Sequence, residues 1–129
     1  MERKKRNCQE SIIQQHFIQW LKLQYPRVWE VTASFPNQGR RSAANASRMK
    51  AEGLKKGIPD VVIFQPSKGY HGMFIEFKHG KMVVSPEQRQ MIELLTNRDY
   101  YCCTCWELET AIKELKDYLT EGYMTSYHC

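Results

Sequence analysis

At 129 residues the chain is long enough to bury one hydrophobic core, and surface-to-volume scaling argues against a second independent one. Lys and Arg outnumber Asp and Glu by 19 to 14, a formal +5, which favours a polyanionic partner and leaves DNA, RNA and a lipid surface open. No apolar run approaches the length of a bilayer crossing, and the opening MERKKRNCQES has a basic start without the apolar stretch of a secretory signal, so a soluble, intracellular protein is expected.

Residues 8–25, CQESIIQQHFIQWLKLQY, repeat apolar side chains at Ile13, Phe17, Trp20 and Leu21, the stripe of a helix that Pro26 stops or bends. VWEVTASF at 28–35 is rich in β-branched and aromatic residues and predicts a strand that ends before the turn-forming PNQG at 36–39. From 40 to 57 the chain reads RRSAANASRMKAEGLKKG, where Ser42 can cap an alanine-rich helix and Gly53 can end it. This segment sets Arg40, Arg41, Arg48, Lys50, Lys55 and Lys56 against the single acid Glu52. A helix so basic and so weakly apolar suits a ligand or solvent better than a core.

IPDVVIF at 58–64 and MFIEFKH at 73–79 predict two strands, joined by the turn-rich QPSKGYHG into an antiparallel hairpin. SPEQRQMIELLTN at 85–97 predicts a helix capped by Ser85, with Pro86 at its first position and Met91, Ile92 and Leu95 on its apolar face. YYCCTCW at 100–106 follows as a strand, and ELETAIKELKDYLTEG at 107–122 as a closing helix with Leu108, Ile112, Leu115 and Leu119 on one side. The class is mixed α/β. Cys102, Cys103 and Cys105 lack the paired spacing of a zinc knuckle, and the histidines at 16, 71, 79 and 128 are scattered. These thiols read as small buried hydrophobes of a strand in a reducing compartment.

Three ionisable residues interrupt the sheet-like middle. In an extended strand Glu76 and Lys78 share a face with Phe74, while Ile75 and Phe77 point to the other side. On the partner strand Asp60, Val62 and Phe64 share a face. A register with Phe64 opposite Phe74 puts Asp60 opposite Lys78 and diagonal to Glu76, at cross-strand distances of roughly 5 to 8 Å. A carboxylate pair on that scale can chelate a hard divalent cation whose remaining positions are filled by water or phosphate oxygen. Mg²⁺ or Mn²⁺ held by Asp60 and Glu76 would polarise a scissile phosphate and acidify a water, while Lys78 orients that water or stabilises the charge growing in the transition state. Charges on the solvent side of an edge strand need no function. Both strands here are apolar on both faces, however, which marks them as central, where unpaired charge is costly.

GIPDVVIF followed by FIEFK resembles the PD-(D/E)xK nuclease signature. The fuller order is similar to the VRR-NUC (virus-type replication-repair nuclease) family: an early Glu, a PN before a basic helix, G-x-PD, E-x-K, and a Gln just inside the next helix. The resemblance runs from about residue 10 to 119 within a single domain of residues 1–129. It implies one nuclease-like domain with a central mixed sheet flanked by helices. It also implies that Asp60 and Glu76 bind the metal, that Glu10 helps complete that site, that Lys78 serves the attacking water and that Gln88 supports it. Asn37 matches the family asparagine. Local chemistry offers other roles: Glu10 suits the dipole of a helix's first turn, Asn37 suits a turn, and Gln88 falls at the N3 position after Ser85, where a capping box would use it. Both roles of Gln88 hold only if its side chain is shared. The family often has a glycine before the strand that follows this helix, and NRDYYCC offers Asn97 or Asp99 in its place.

Stand-alone members of such a family imply a metal-dependent, structure-selective endonuclease that hydrolyses branched DNA, four-way (Holliday) junctions above all, in the cytoplasm of a prokaryotic or virus-infected host cell. A homodimer would match the paired scissile strands of a junction, and the basic residues from Arg40 to Lys56 would track the DNA backbone; no membrane is involved. A sequence-specific endonuclease of restriction type shares the same triplet, and a non-catalytic DNA-binding module shares the same charge.

Overall fold

The chain alternates between helical stripes and short β-branched runs, and folding sorts them into one mixed sheet with helices packed against it. The computed structural model describes residues 2–35 and 42–120, with side chains from residue 9 onward. In chain order the elements are α1 (Glu2–Gln24), α2 (Pro26–Trp29), β1 (Thr32–Ser34), α3 (Ala43–Ala51), β2 (Val61–Ile63), β3 (Met73–Phe77), α4 (Pro86–Thr96), β4 (Tyr101–Cys105) and α5 (Leu108–Leu119). The sheet runs β1-β2-β3-β4, with β1 antiparallel to β2, β2 antiparallel to β3, and β3 parallel to β4. The α4 crossover lets β3 and β4 run parallel, since parallel neighbours need a connection too long for a hairpin.

Strand parity divides the sheet's two faces. Val61, Ile63, Met73, Ile75, Phe77 and Cys105 join Phe17 and Leu21 of α1 and Ala111, Leu115, Tyr118 and Leu119 of α5 in the main core. The Phe17 and Phe77 rings meet there at 5.7 Å. Val62 and Phe74 are buried on the other face, where Phe74 meets the edge of the Tyr100 ring at 5.5 Å. All five residues of β3 are buried, as expected of a central strand covered on both sides.

Three expectations change. The strand expected over 28–35 shrinks to Thr32–Ser34, because Pro26 starts a short helix instead of only ending the previous one. Proline lacks an N–H that the first helical turn would leave unused anyway. Val28 thereby enters the core, and the Lys22 ammonium sits 4.7 Å from the centre of the Trp29 ring. The first helix likewise begins at Glu2 rather than near residue 8. Glu10 therefore lies well inside α1, and the first-turn dipole role considered for it does not apply.

The hairpin register also differs. Val62 stands opposite Phe74 and Val61 opposite Ile75, so continuing the ladder brings Asp60 across from Glu76, not Lys78. Alternating sequence cannot distinguish registers that differ by two residues, since such a slip leaves every side chain on its original face. The connection decides it: Ser67 and Tyr70 pair as a bridge around Lys68 and Gly69, both at positive φ (53° and 86°). Phe64 is thereby left beyond the strand, 58% exposed. At the later junction Asp99 takes φ 65°, the conformation a glycine would adopt most easily.

The thiols follow their strand. Cys105 is fully buried, Cys102 and Cys103 are half-buried, and all three are unbridged. No helix among the described residues is long and apolar enough to cross a membrane.

Candidate active site

β2, β3 and the start of α4 bring four of the sequence-predicted residues together. The Asp60 side chain, just before β2, accepts a hydrogen bond through Oδ2 from the Phe77 amide at 2.8 Å. That bond ties Asp60 to the end of β3 and sets its carboxyl beside that of Glu76. Lys78 Nζ is 3.5 Å from Glu76 Oε2, with both side chains almost wholly buried. The Lys78 backbone amide donates to the Cys105 carbonyl at 2.9 Å, which continues the parallel ladder one residue past β3 and fixes where its side chain leaves the strand. Glu10 of α1 faces the same cluster, in electrostatic contact with Lys78, Asp60 and His79.

Burial governs the protonation of this group. Desolvation disfavours a carboxylate, and the negative Asp60 beside it adds to the effect, so Glu76 is pushed up to about 8 against the opposing pull of Lys78. The Asp60 carboxyl is also raised, chiefly by burial, while the Phe77 amide, Glu76 and Lys78 hold it back. Glu10 is raised by burial too; Lys78 and His79 oppose the shift and Asp60 reinforces it. Two closely spaced acids in such a setting share a proton at neutral pH.

Gln88 enters through the cap of α4. Its backbone N–H donates to Ser85 Oγ at 3.1 Å and its Oε1 accepts from the Ser85 N–H at 2.9 Å, a complete capping box. The remaining end of the amide, Nε2, donates to Glu76 Oε2 at 2.7 Å. One side chain thus closes the helix and orients the acid. Glu76 Oε2 receives both Gln88 and Lys78, whereas Glu76 Oε1 is buried without a hydrogen-bond partner, as is Glu10 Oε1. Buried carboxylate oxygens left unpaired are costly unless something binds them.

Gly57 sets the distance between the two halves of the site. Its φ is +87°, and a Cβ placed on it would stand 2.5 Å from the Glu87 carbonyl oxygen and 3.0 Å from the Gln88 nitrogen. Only a glycine lets the chain leading to Asp60 pass this close to the start of α4. The sequence signal was present in GIPD, but the glycine's packing role is visible only in the fold.

A cleft of about 340 Å³ opens onto Asp60 and Gln88, walled by Phe35, Leu54, Lys55, Lys56 and Glu87. Lys55 and Lys56 also line an adjoining groove that Lys50 shares. Of the basic residues assigned to DNA contact, these three therefore border the site. Arg48 is paired with Glu52 at 3.2 Å on the exposed side of α3. Asn37, Arg40 and Arg41 lie outside the described residues. Phe35 and His79 were not singled out by the sequence, since an isolated aromatic at a strand end and a lone histidine carry no pattern. Among the described residues no three His, Cys, Asp or Glu side chains converge into a metal cage. Asp60 and Glu76 remain the pair that could hold a cation, with Glu10 beside them.

The family model described as the VRR-NUC domain matches residues 2–106. A solved structure described as a VRR_NUC domain protein superposes with a TM-score of 0.76 at 26% identity, covering 88% of this chain and 89% of that one. No curated protein matches.

Two outcomes follow from this geometry. Because Glu76 keeps its proton in the folded chain up to about pH 8 and an unperturbed glutamate releases it near 4.5, stability in the presence of chelator is greatest below that window and falls as pH rises through it. Differential scanning fluorimetry should show a declining melting midpoint, and Glu76→Gln should flatten the decline and raise the midpoint above pH 8 by roughly 3 to 6 °C; an equal slope in the variant would assign the burial penalty to other groups. Gly57→Ala should lose roughly 1 to 3 kcal/mol more in urea denaturation than Gly53→Ala. Gly53 has φ +108° with open space around it, so its variant measures backbone strain alone.

Proposed function

The chain belongs to the VRR-NUC domain family and is a nuclease of that type; from this premise we propose that it hydrolyses phosphodiester bonds in branched DNA, four-way junctions in particular, with a divalent cation held by Asp60 and Glu76. The observation that carries the reading is the asymmetry of Glu76, whose Oε2 is taken by Gln88 and Lys78 while its Oε1 is buried and unpartnered. Asp60 lies beside it. The donor set is hard oxygen, which suits Mg²⁺ or Mn²⁺. Mg²⁺ is commonly bound by one or two carboxylates with waters and substrate phosphate oxygens, and so does not require a three-residue protein cage. Glu10, with its own unpartnered oxygen, is placed to add a ligand directly or through water.

When bound there, the cation would supply Lewis acidity toward the scissile phosphate and lower the pKa of an attacking water. The chain's own residues do the rest. Burial pushes the Glu76 carboxyl up to about 8, so holding a cation there would require it to release a proton, and cation binding and proton release would be linked. Gln88 Nε2 holds the Glu76 carboxylate in one orientation, a positioning role. Lys78 brings a buried positive charge beside the carboxylates, where it stabilises negative charge developing on the phosphate. Lys50, Lys55 and Lys56 border the cleft and its extension with the charge needed to retain a phosphate backbone. A two-fold dimer would present two such sites to the paired strands of a junction.

The deciding measurement is cleavage of a four-way junction, flap, linear duplex and single strand with Mg²⁺ or Mn²⁺. Asp60→Ala, Glu76→Ala and Lys78→Ala should each slow junction cleavage by about 100-fold or more, and Gln88→Ala by roughly 10- to 100-fold. Asp60→Ala should still bind the junction. Variants that cut like the wild type would refute the site; cutting of one duplex sequence regardless of branching would replace the reading with a restriction-type enzyme; and binding without any cleavage would leave a DNA-binding module. Sedimentation equilibrium should separately give twice the 15.3 kDa chain mass, and a monomer at micromolar concentration would rule out the dimer.

A further inference from the structure

Among the described residues Phe35 is the one aromatic side chain that lines the cleft containing Asp60 and Gln88, and neither the core nor the proposed chemistry uses its ring. It is 41% exposed, although burying a phenyl ring is among the larger gains available to a small domain. Its backbone is nevertheless held: the Phe35 amide donates to the Asp60 carbonyl at 3.0 Å, which ties the end of this strand to the residue that carries a candidate catalytic carboxylate. Phe64 is also exposed but lines neither cavity, and exposure there marks only the end of a strand.

The surroundings of Phe35 define what could lie against it. Lys55 and Lys56 share the cleft, and through them and Leu54 it continues into the groove between α3 and α4, about 790 Å³ in volume, with Met91 and Leu94 on its apolar surface. A flat hydrophobic face beside two ammonium groups is the combination that binds a nucleotide: the base stacks and the phosphates meet the cations. Glu87, on the shared wall, repels phosphate and accepts hydrogen bonds from an exocyclic amino group, which favours the base on that side. A base inside a duplex is already stacked on both faces and cannot offer one to Phe35. We infer that Phe35 stacks on a nucleobase left without a stacking neighbour at the branch point, next to the scissile phosphate, with Lys55 and Lys56 on the flanking phosphates, so that the enzyme selects strands whose bases are already unstacked at a branch. This rests on the nuclease reading above and gives it a physical basis for preferring branched DNA.

The test is a cycle of binding measurements by fluorescence anisotropy in chelator, with full-length protein and a four-way junction whose nucleotides flanking the branch point are made abasic one at a time. Phe35→Leu keeps the apolar volume and removes the π face. On intact DNA it should weaken binding by about tenfold, and with the base that meets Phe35 removed it should cause no further loss; Phe35→Trp should restore wild-type affinity. An equal loss on intact and on every abasic DNA, or no loss at all, would overturn the inference. The melting midpoint of Phe35→Leu should match the wild type. If cleavage never appears but the coupling does, the nuclease reading fails and the stacking site stands. If cleavage depends on the triplet but the coupling is absent, stacking alone fails.

Discussion

The hydrogen bond from the Phe77 amide to Asp60 Oδ2 joins two demands that would otherwise compete. β2 ends its pairing at Val61, and beyond that point the edge of β3 needs another acceptor. A side-chain carboxylate supplies it, and in doing so fixes a charged group at the point where Glu76 and Lys78 leave the sheet. The glycine two positions before Pro59 and the cap of α4 then close around that point. Moving Asp60 away would free the Phe77 amide, leave Lys78 with one fewer counter-charge and open the cleft at once.

A second economy lies in Gln88. The capping box is a local device, legible in any helix that begins with Ser-Pro-x-Gln, and it needs only the amide oxygen. The nitrogen is left pointing back over the sheet, where it meets Glu76. A capping box therefore gives the orientation of the acid a rigid reference: the helix terminus rather than a loop. The same arrangement explains why only one Glu76 oxygen is unpartnered, since the other is held by two donors on different elements.

Much of this was legible because the signals were local or periodic. The stripe through Phe17 and Leu21, the Ser42 and Ser85 caps and the parity of Glu76 and Lys78 each follow from spacing, and the structure carries them as helices, caps and a shared face. The ordered motifs from PD to E-x-K likewise pointed to the family and the mixed sheet. What was hidden depended on contacts between segments. The slip of the β2–β3 register is invisible to a period of two; Pro26 could end one helix or begin the next; and the need for glycine at position 57 arises only when α4 docks against it. Phe35 had no partner pattern in the chain, because its meaning comes from the cleft around it.

The position of β3 accounts for the electrostatic tension of the site. It pairs antiparallel with β2 and parallel with β4, with the main core on one face and Tyr100 and the Gln88 side chain meeting the other, so its residues are withdrawn from water. Such a strand is the stiffest place available for a reacting group, and the worst for a charge. Glu76, at 3% exposure, and Lys78, at 6%, stand at and just past its end, where the ladder to β2 has stopped, behind the Asp60 and Gln88 that line the cleft. There the walls are rigid enough to hold geometry, while burial keeps the carboxylates reluctant to ionise without a cation between them. A flexible loop could carry the same three residues at less cost in stability, but it would solvate them, and the low-dielectric setting in which the proposed cation and Lys78 would act would be lost. The energetic cost of burying these carboxylates and the chemistry proposed for them thus have one cause.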